Sequence, residues 1–215
     1  MALAFLAGLA VAVGAALQPR FPGDLAVAQW VQSFATTGLD TVMEGVTLLA
    51  GTPVIVFTLL TAVVALGIAR RWHDAAAFLG ISVLQGLVQL AKLIVDRPRP
   101  SDDLVRVMDT STSPGFPSGH AYFAVVFGGL LLLQVLPAIR QQWLRRGMGA
   151  LIVTVVVMVV VSRVYLGVHW PSDVAGSALF GVPSVALLFY VRERFKKKGV
   201  IPEKNPPHSG NGAVN

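Results

Sequence analysis

Six apolar runs constrain this chain more than any other feature. They cover roughly residues 2–17, 46–68, 75–95, 120–138, 149–167 and 173–191, each near the ~20 residues an α-helix needs to cross a bilayer. Hydrophobic residues make up 54% of the sequence and charged residues 13%, about half the charge of an ordinary soluble domain. A soluble core built from 215 residues could not hide that much apolar surface. The expected fold is therefore all-α: an integral membrane helical bundle of about six transmembrane helices over residues 1–192. A cleaved signal peptide is the alternative for the short first run, but Met1 to Gly8 lacks the positive charge such a segment carries.

The polar joints between runs set the expected orientation. Arg70 and Arg71 follow the second run, Arg140, Arg145 and Arg146 the fourth, and Arg192, Arg194, Lys196, Lys197 and Lys198 the sixth. Alternate basic loops are cytoplasmic by the positive-inside rule, which places both termini in the cytoplasm of a multi-pass cell-membrane protein. Residues 24–44 read as an amphipathic extracytoplasmic segment, a short helix and a turn. Trp30 there is either an interfacial anchor or a packing residue. Residues 193–215 form a basic and then polar tail, rich in Pro, Gly and Asn beyond residue 198, with the composition of a disordered segment. Lys196 to Lys198 read first as an orientation signal and second as a contact for anionic headgroups.

The net charge of +6 does not point to nucleic acid, because the basic residues lack the interleaved aromatics that grip single strands. Cysteine is absent, which excludes disulfides and thiolate metal sites.

With this topology, three groups of unusual polar residues share the outer face. Lys92 closes the third run and Arg99 follows it; each alone reads as a snorkelling anchor. The fourth run opens with Pro117-Ser118-Gly119-His120. A helix start offers unpaired N–H groups and partial positive charge to an anion, and Gly119 lets the backbone approach a ligand. Ser118 equally suits a plain N-cap. The third group runs from Ser162-Arg163 through His169 to Asp173. Arg163 lies deep in an apolar run, where a charge costs roughly 2.5 kcal/mol or more unless it faces a cavity or an ion-pair partner. His169 and Asp173 are four residues apart, so on one helical turn the carboxylate can hold one ring nitrogen.

Together these residues supply what phosphoryl transfer needs: cations for the oxygens, a nucleophile and an acid for the leaving group. A divalent metal would call for a cluster of carboxylates or histidines at ligand spacing. Asp96, Asp102, Asp103 and Asp109 show no such pattern and read as a solvated loop. No metal and no cofactor are expected. His73 and His208 fall in a cytoplasmic loop and in the tail, and read as solvated bystanders.

The sequence resembles the type 2 phosphatidic acid phosphatase family, lipid phosphatases that share a site with vanadium haloperoxidases. Its pattern is met by Lys92 with Arg99-Pro100, by Pro117-Ser118-Gly119-His120, and by Ser162-Arg163 with His169 and Asp173. Leu39-Asp40-Thr41-Val42-Met43 also looks like the family's approach to its second span. Arg97-Pro98 offers a second register, but the six-residue spacing selects Arg99. The resemblance implies that His169 attacks phosphorus to give a phosphohistidine, with Asp173 fixing its tautomer. It implies that His120 protonates the leaving group, and that Lys92, Arg99, Arg163, Ser118 and Gly119 hold the phosphate oxygens. The implied partners are a lipid phosphate and the membrane itself. Undecaprenyl pyrophosphate leads as substrate, ahead of phosphatidylglycerophosphate and phosphatidic acid. A haloperoxidase, a catalytically silent lipid-binding protein and a transporter are the rival classes.

Overall fold

The computed structural model describes residues 2–109 and 111–198, and every element among them is helical. The helices are α1 (Ala2–Leu17), α2 (Asp24–Gln32), α3 (Thr37–Leu48), α4 (Thr52–Ile68), α5 (Trp72–Val95), α6 (Gly119–Leu130), α7 (Gln142–Tyr165) and α8 (Pro171–Lys197). One wide turn over Leu131–Val135 and one tight turn over Leu136–Ala138 continue α6. Pro137 accounts for the change, since it has no N–H to continue an α-helical ladder.

All six apolar runs are helical, and two differences from expectation stand out. The second run is broken: α3 and α4 meet at a 50° bend, where Gly51 precedes a helix start carrying Pro53. The segment read as 24–44 is thus two helices, α2 and α3, with α3 running on into the apolar run. The basic residues after the sixth run, Arg192 to Lys197, form the last turns of α8 rather than a tail. Residues 199–215, including His208, lie outside the described residues.

Among the described residues four segments are long and apolar enough to span a membrane, namely α5, α6 with its two continuing turns, α7 and α8, and a fifth span results if α3 and α4 count as one. At 16 residues, α1 is only about 24 Å long, short of a ~30 Å hydrocarbon layer. It lies antiparallel along the first half of α8, with Phe5 edge-on to Phe180 and Val11 beside Gly176. Six crossings, and termini on one side, would require α1 to cross as well.

The core lies among α5, α6, α7 and α8, where Phe78, Ile81, Val126, Leu130, Val159 and Val185 are buried. Large apolar side chains such as Leu93, Ile94, Phe57 and Leu151 point outward, the inside-out pattern a lipid solvent permits. At one end of the bundle Asp74 is buried between Arg71 (2.6 Å) and Arg192 (2.7 Å). His73 is also buried there, only 2% exposed, because the first turn of α5 packs into the bundle. The bystander reading of His73 as a solvated loop residue is corrected accordingly. The polar groups singled out above collect at the opposite end.

Candidate active site

Lys92 sits in the last turn of α5. Its side chain does not snorkel: it is 5% exposed, and Nζ donates to the Pro114 carbonyl at 2.7 Å. After α5 the chain turns at Asp96, whose φ of 46° ends the helix and sends Arg97 and Arg99 in different directions. Arg99 is half-buried in the loop. Nη1 donates to the Val168 carbonyl at 2.7 Å and lies 3.5 Å from His169 Nε2, while Nε and Nη2 hold Ser113.

Arg163 closes α7 from inside the protein, 3% exposed. Its Nη1 donates to Thr47 Oγ1 of α3, and its Nε is buried without a partner. Among the described residues no carboxylate pairs with it, so the ion-pair alternative is not what the fold builds. The chain leaves α7 at Gly167, whose φ of 69° is the left-handed conformation that glycine adopts without penalty. That turn lets the Val168 and His169 amides both bond the Arg163 carbonyl, each at 3.2 Å. His169 is thereby fixed beside Arg163 and Arg99, 1% exposed.

The spacing of His169 and Asp173 suggested one helical turn, but α8 begins only at Pro171. Asp173 instead occupies its first turn, and its Oδ2 accepts from the Trp170 amide at 2.9 Å. A carboxylate suits that place, where unpaired N–H groups leave partial positive charge. His169 Nδ1 lies 3.6 Å from Asp173 Oδ2, inside ion-pair range yet without a hydrogen bond. Burial, and the charges of Arg99, Arg163 and Lys92, hold the His169 ring well below its ordinary pKa of 6.5. The ring is therefore neutral near pH 7, with Nε2 turned toward the cations.

Ser118 caps α6, its Oγ accepting from Ala121 N at 3.5 Å, while its own amide donates to Ser177 Oγ at 2.8 Å. The N-cap role is thus the one the resting geometry shows, and the hydroxyl hydrogen stays available to an anion. Gly119 begins the helix, and Gln85 of α5 donates to its carbonyl at 3.2 Å. His120 follows, partly buried, within the fields of Arg163, His169, Arg99 and Lys92. Beside this helix start a groove of about 520 Å³ runs between α4 and α5. Leu59, Val63 and Leu79 line it, with Ser82, Gln85 and Gln89 as its polar edge.

All eight expected residues therefore gather at one end of the bundle. Three others there were not expected. Arg97, passed over in favour of Arg99, is fully buried between Asp173 and Asp24. Asp24, taken as part of an amphipathic surface segment, is 4% exposed. Thr47 meets Arg163 from the bent second run. The doubled Arg97-Pro98-Arg99-Pro100 was the one signal available, and it could not say which arginine turned inward. Asp102, Asp103 and Asp109 are exposed, as a solvated loop requires.

A family model for the PAP2 superfamily matches residues 73–197, which carry all three motifs. The chain belongs to the PAP2 superfamily. This is the family the motifs resemble. A decaprenylphosphoryl-5-phosphoribose phosphatase of Mycobacterium tuberculosis is 31% identical over 193 residues, covering 87% of this chain and 93% of the relative. Among solved structures, a PAP2-type phosphatidylglycerolphosphate phosphatase from Bacillus subtilis superposes with a TM-score of 0.75 at 24% identity. It covers 92% of this chain and 96% of that one. Aquifex aeolicus LpxE superposes with a TM-score of 0.62 at 20% identity, over 79% and 96%. The 92% coverage of this chain by the Bacillus subtilis fold is wider than residues 73–197, so the shared fold extends beyond the span of the family model.

Proposed function

We infer that this PAP2 protein hydrolyses a lipid phosphate through a phosphohistidine, without a metal. The observation that carries the reading is the placement of a neutral, buried His169 with Nε2 3.5 Å from Arg99 and within the fields of Arg163 and Lys92. Those three cations hold the non-bridging oxygens, helped by the Ser118 hydroxyl and the N–H groups at the start of α6. They supply the charge neutralisation that a divalent ion supplies in other phosphoryl-transfer sites.

His169 Nε2 attacks phosphorus in line with the leaving oxygen, and the phosphorus–oxygen bond to the lipid breaks. Once the bound phosphate offsets the surrounding cations, His120 can carry a proton, and it gives that proton to the leaving oxygen. Water then attacks the phosphohistidine while His120 takes the water's proton, which returns His169 with inorganic phosphate as product. Asp173 stabilises the positive charge that develops on the His169 ring without taking its proton, as the buried carboxylate does in serine-protease triads.

The groove between α4 and α5, whose Gln85 and Gln89 lie beside Gly119, offers an apolar tail a route toward the start of α6, which favours a lipid over a water-soluble ester. The basic helix ends at Arg70, Arg71, Arg145, Arg146 and Arg192 lie away from the site, which by the positive-inside rule supports an extracytoplasmic site. An isoprenoid substrate is the preferred class. Undecaprenyl pyrophosphate is the sequence-based choice, and the name of the mycobacterial relative favours a second, the 5-phosphate monoester of a polyprenylphosphoryl ribose.

The test is phosphate release by detergent-purified protein in excess EDTA, with His169→Ala as control. The lipids offered are undecaprenyl pyrophosphate, decaprenylphosphoryl-5-phosphoribose, phosphatidylglycerophosphate and phosphatidic acid. Release that survives EDTA and disappears in the variant is expected, and the ranking names the lipid. No release from any of them, or full activity in His169→Ala, overturns the reading.

A further inference from the structure

Arg97 is enclosed completely, its side chain 0% exposed between carboxylates from two different helices. Its Nη1 binds Asp173 Oδ1 and Ser172 Oγ (2.8 Å), and its Nη2 binds Asp24 Oδ2 at 2.9 Å. Asp24 has no freedom left: it also accepts from the Phe21 amide (2.8 Å), the Ser172 amide (2.9 Å) and Ser172 Oγ (2.7 Å). The Phe21 ring closes the guanidinium from one face, 5.1 Å from its centre. The result is a buried chain of charges from α2 through the α5–α6 loop to the first turn of α8, ending 3.6 Å from His169 Nδ1.

Such a triad is a poor device for stability alone. Desolvating three charges costs about as much as their attraction returns, and apolar replacements are often as stable. Its geometry does serve a second purpose. Asp173 Oδ1 is taken by Arg97 and Oδ2 by the Trp170 amide, so the carboxylate can neither rotate nor swing toward the nearby cations Lys92 and Arg99. Oδ2 therefore stays aimed at Nδ1. When the ring becomes positive, a sub-ångström closure converts the long contact into a charge-assisted hydrogen bond.

We propose that Asp24 and Arg97 are positioning residues for the nucleophile, acting on His169 through Asp173. Asp24 holds Arg97 on Oδ1, which leaves the second lone pair of Oδ2, beside the Trp170 amide, for the imidazole. Neither residue touches the phosphate, which Lys92, Arg99 and Arg163 hold, so their loss acts on turnover rather than on substrate binding. The proposal rests on His169 being the nucleophile.

The experiment measures kcat and KM for phosphate release, and the thermal midpoint, for Asp24→Asn, Arg97→Lys, Arg97→Gln, Asp173→Asn and the Arg97→Gln/Asp173→Asn pair. Folded Asp24→Asn and Arg97→Gln should lose about 10-fold to 100-fold in kcat, the usual effect of removing a group that orients an active-site ligand, with KM unchanged. Arg97→Lys should recover part of the loss. The double variant should be no slower than Asp173→Asn alone, because both act through one carboxylate. If Arg97→Gln does not fold, the same cycle run with Asp24→Asn decides. Wild-type kcat in folded Asp24→Asn, or losses that multiply with Asp173→Asn, overturns the proposal and leaves the phosphatase assignment standing. An inactive wild type, or an active His169→Ala, instead overturns that assignment.

Discussion

Replacing Gly167 with alanine tests the turn that delivers His169. At φ 69° an L-residue costs roughly 1–2 kcal/mol. An added Cβ would lie 2.2 Å from the Arg106 carbonyl oxygen, 3.0 Å from its carbon and 3.1 Å from Val107 Cα. These are backbone atoms, so the loop itself must move, and overpacking of this kind costs typically ~1–3 kcal/mol. The movement also strains the bond from the Met108 amide to the Leu166 carbonyl. It likewise strains the two-way grip of Gln32 on the Arg106 backbone, at 3.0 and 2.7 Å. The total is about 3 kcal/mol, and at ~2–4 °C per kcal/mol for a chain of this length the thermal midpoint should fall by roughly 6–12 °C. His169 should shift with the turn, because its amide is bonded to the Arg163 carbonyl. A misplacement near 1 Å costs on the order of 100-fold in rate. Scanning fluorimetry in detergent and initial rates on the preferred lipid measure both effects. A midpoint within about 2 °C of wild type, together with undiminished kcat, would refute the argument from backbone overlap.

Two further outcomes are expected. Burial and the neighbouring cations hold the His169 pKa well below 6.5, so the neutral ring that the proposed mechanism needs persists as the pH falls through 6.5 and is lost only at the lower folded value. Arg99→Gln removes a cation 3.5 Å from the ring, so the acid limb of kcat/KM should move toward higher pH, and an unmoved limb counts against Arg99 as its neighbour. At the other end of the bundle, Asp74→Asn should lower stability by about 2 kcal/mol. That is less than the ~3–5 kcal/mol of a fully enclosed pair, since Arg71 remains 29% exposed and Arg192 13%. Activity per folded molecule should not change, and comparing rate with thermal midpoint separates the two.

The helices and the motif residues were legible because each leaves a local signature. A bilayer-length apolar run needs no partner to be recognised, and Lys92, His120 and His169 lie at fixed distances from run ends. What could not be read depends on approach in space. Asp24 is 73 residues from Arg97, and nothing within residues 18–36 marks its carboxylate as buried. Thr47 meets Arg163 across 116 residues only because the second run bends before α4. His73 looked solvated because a basic, polar junction normally is, whereas here Asp74 draws Arg71 and Arg192 over the helix end. His169 and Asp173 do approach to 3.6 Å, but across a helix cap rather than along one turn, since a four-residue spacing reads alike in both.

The ion pairs at the two ends of α8 have a joint consequence. Asp173 is tied to Arg97 just past the end of α5, and Arg192 to Asp74 in its first turn, so the same two helices are riveted together at both faces. About 28 Å of helix separates the rivets on α8, close to the ~30 Å of a typical hydrocarbon layer. A helix pair fixed at both ends cannot absorb hydrophobic mismatch by sliding or by tilting one member alone. It acts as a caliper: a thicker or thinner bilayer must deform to meet it, or load the rivet that holds Asp173 beside His169. On the proposed mechanism, the acyl-chain length of the surrounding lipid would then be a variable of the chemistry.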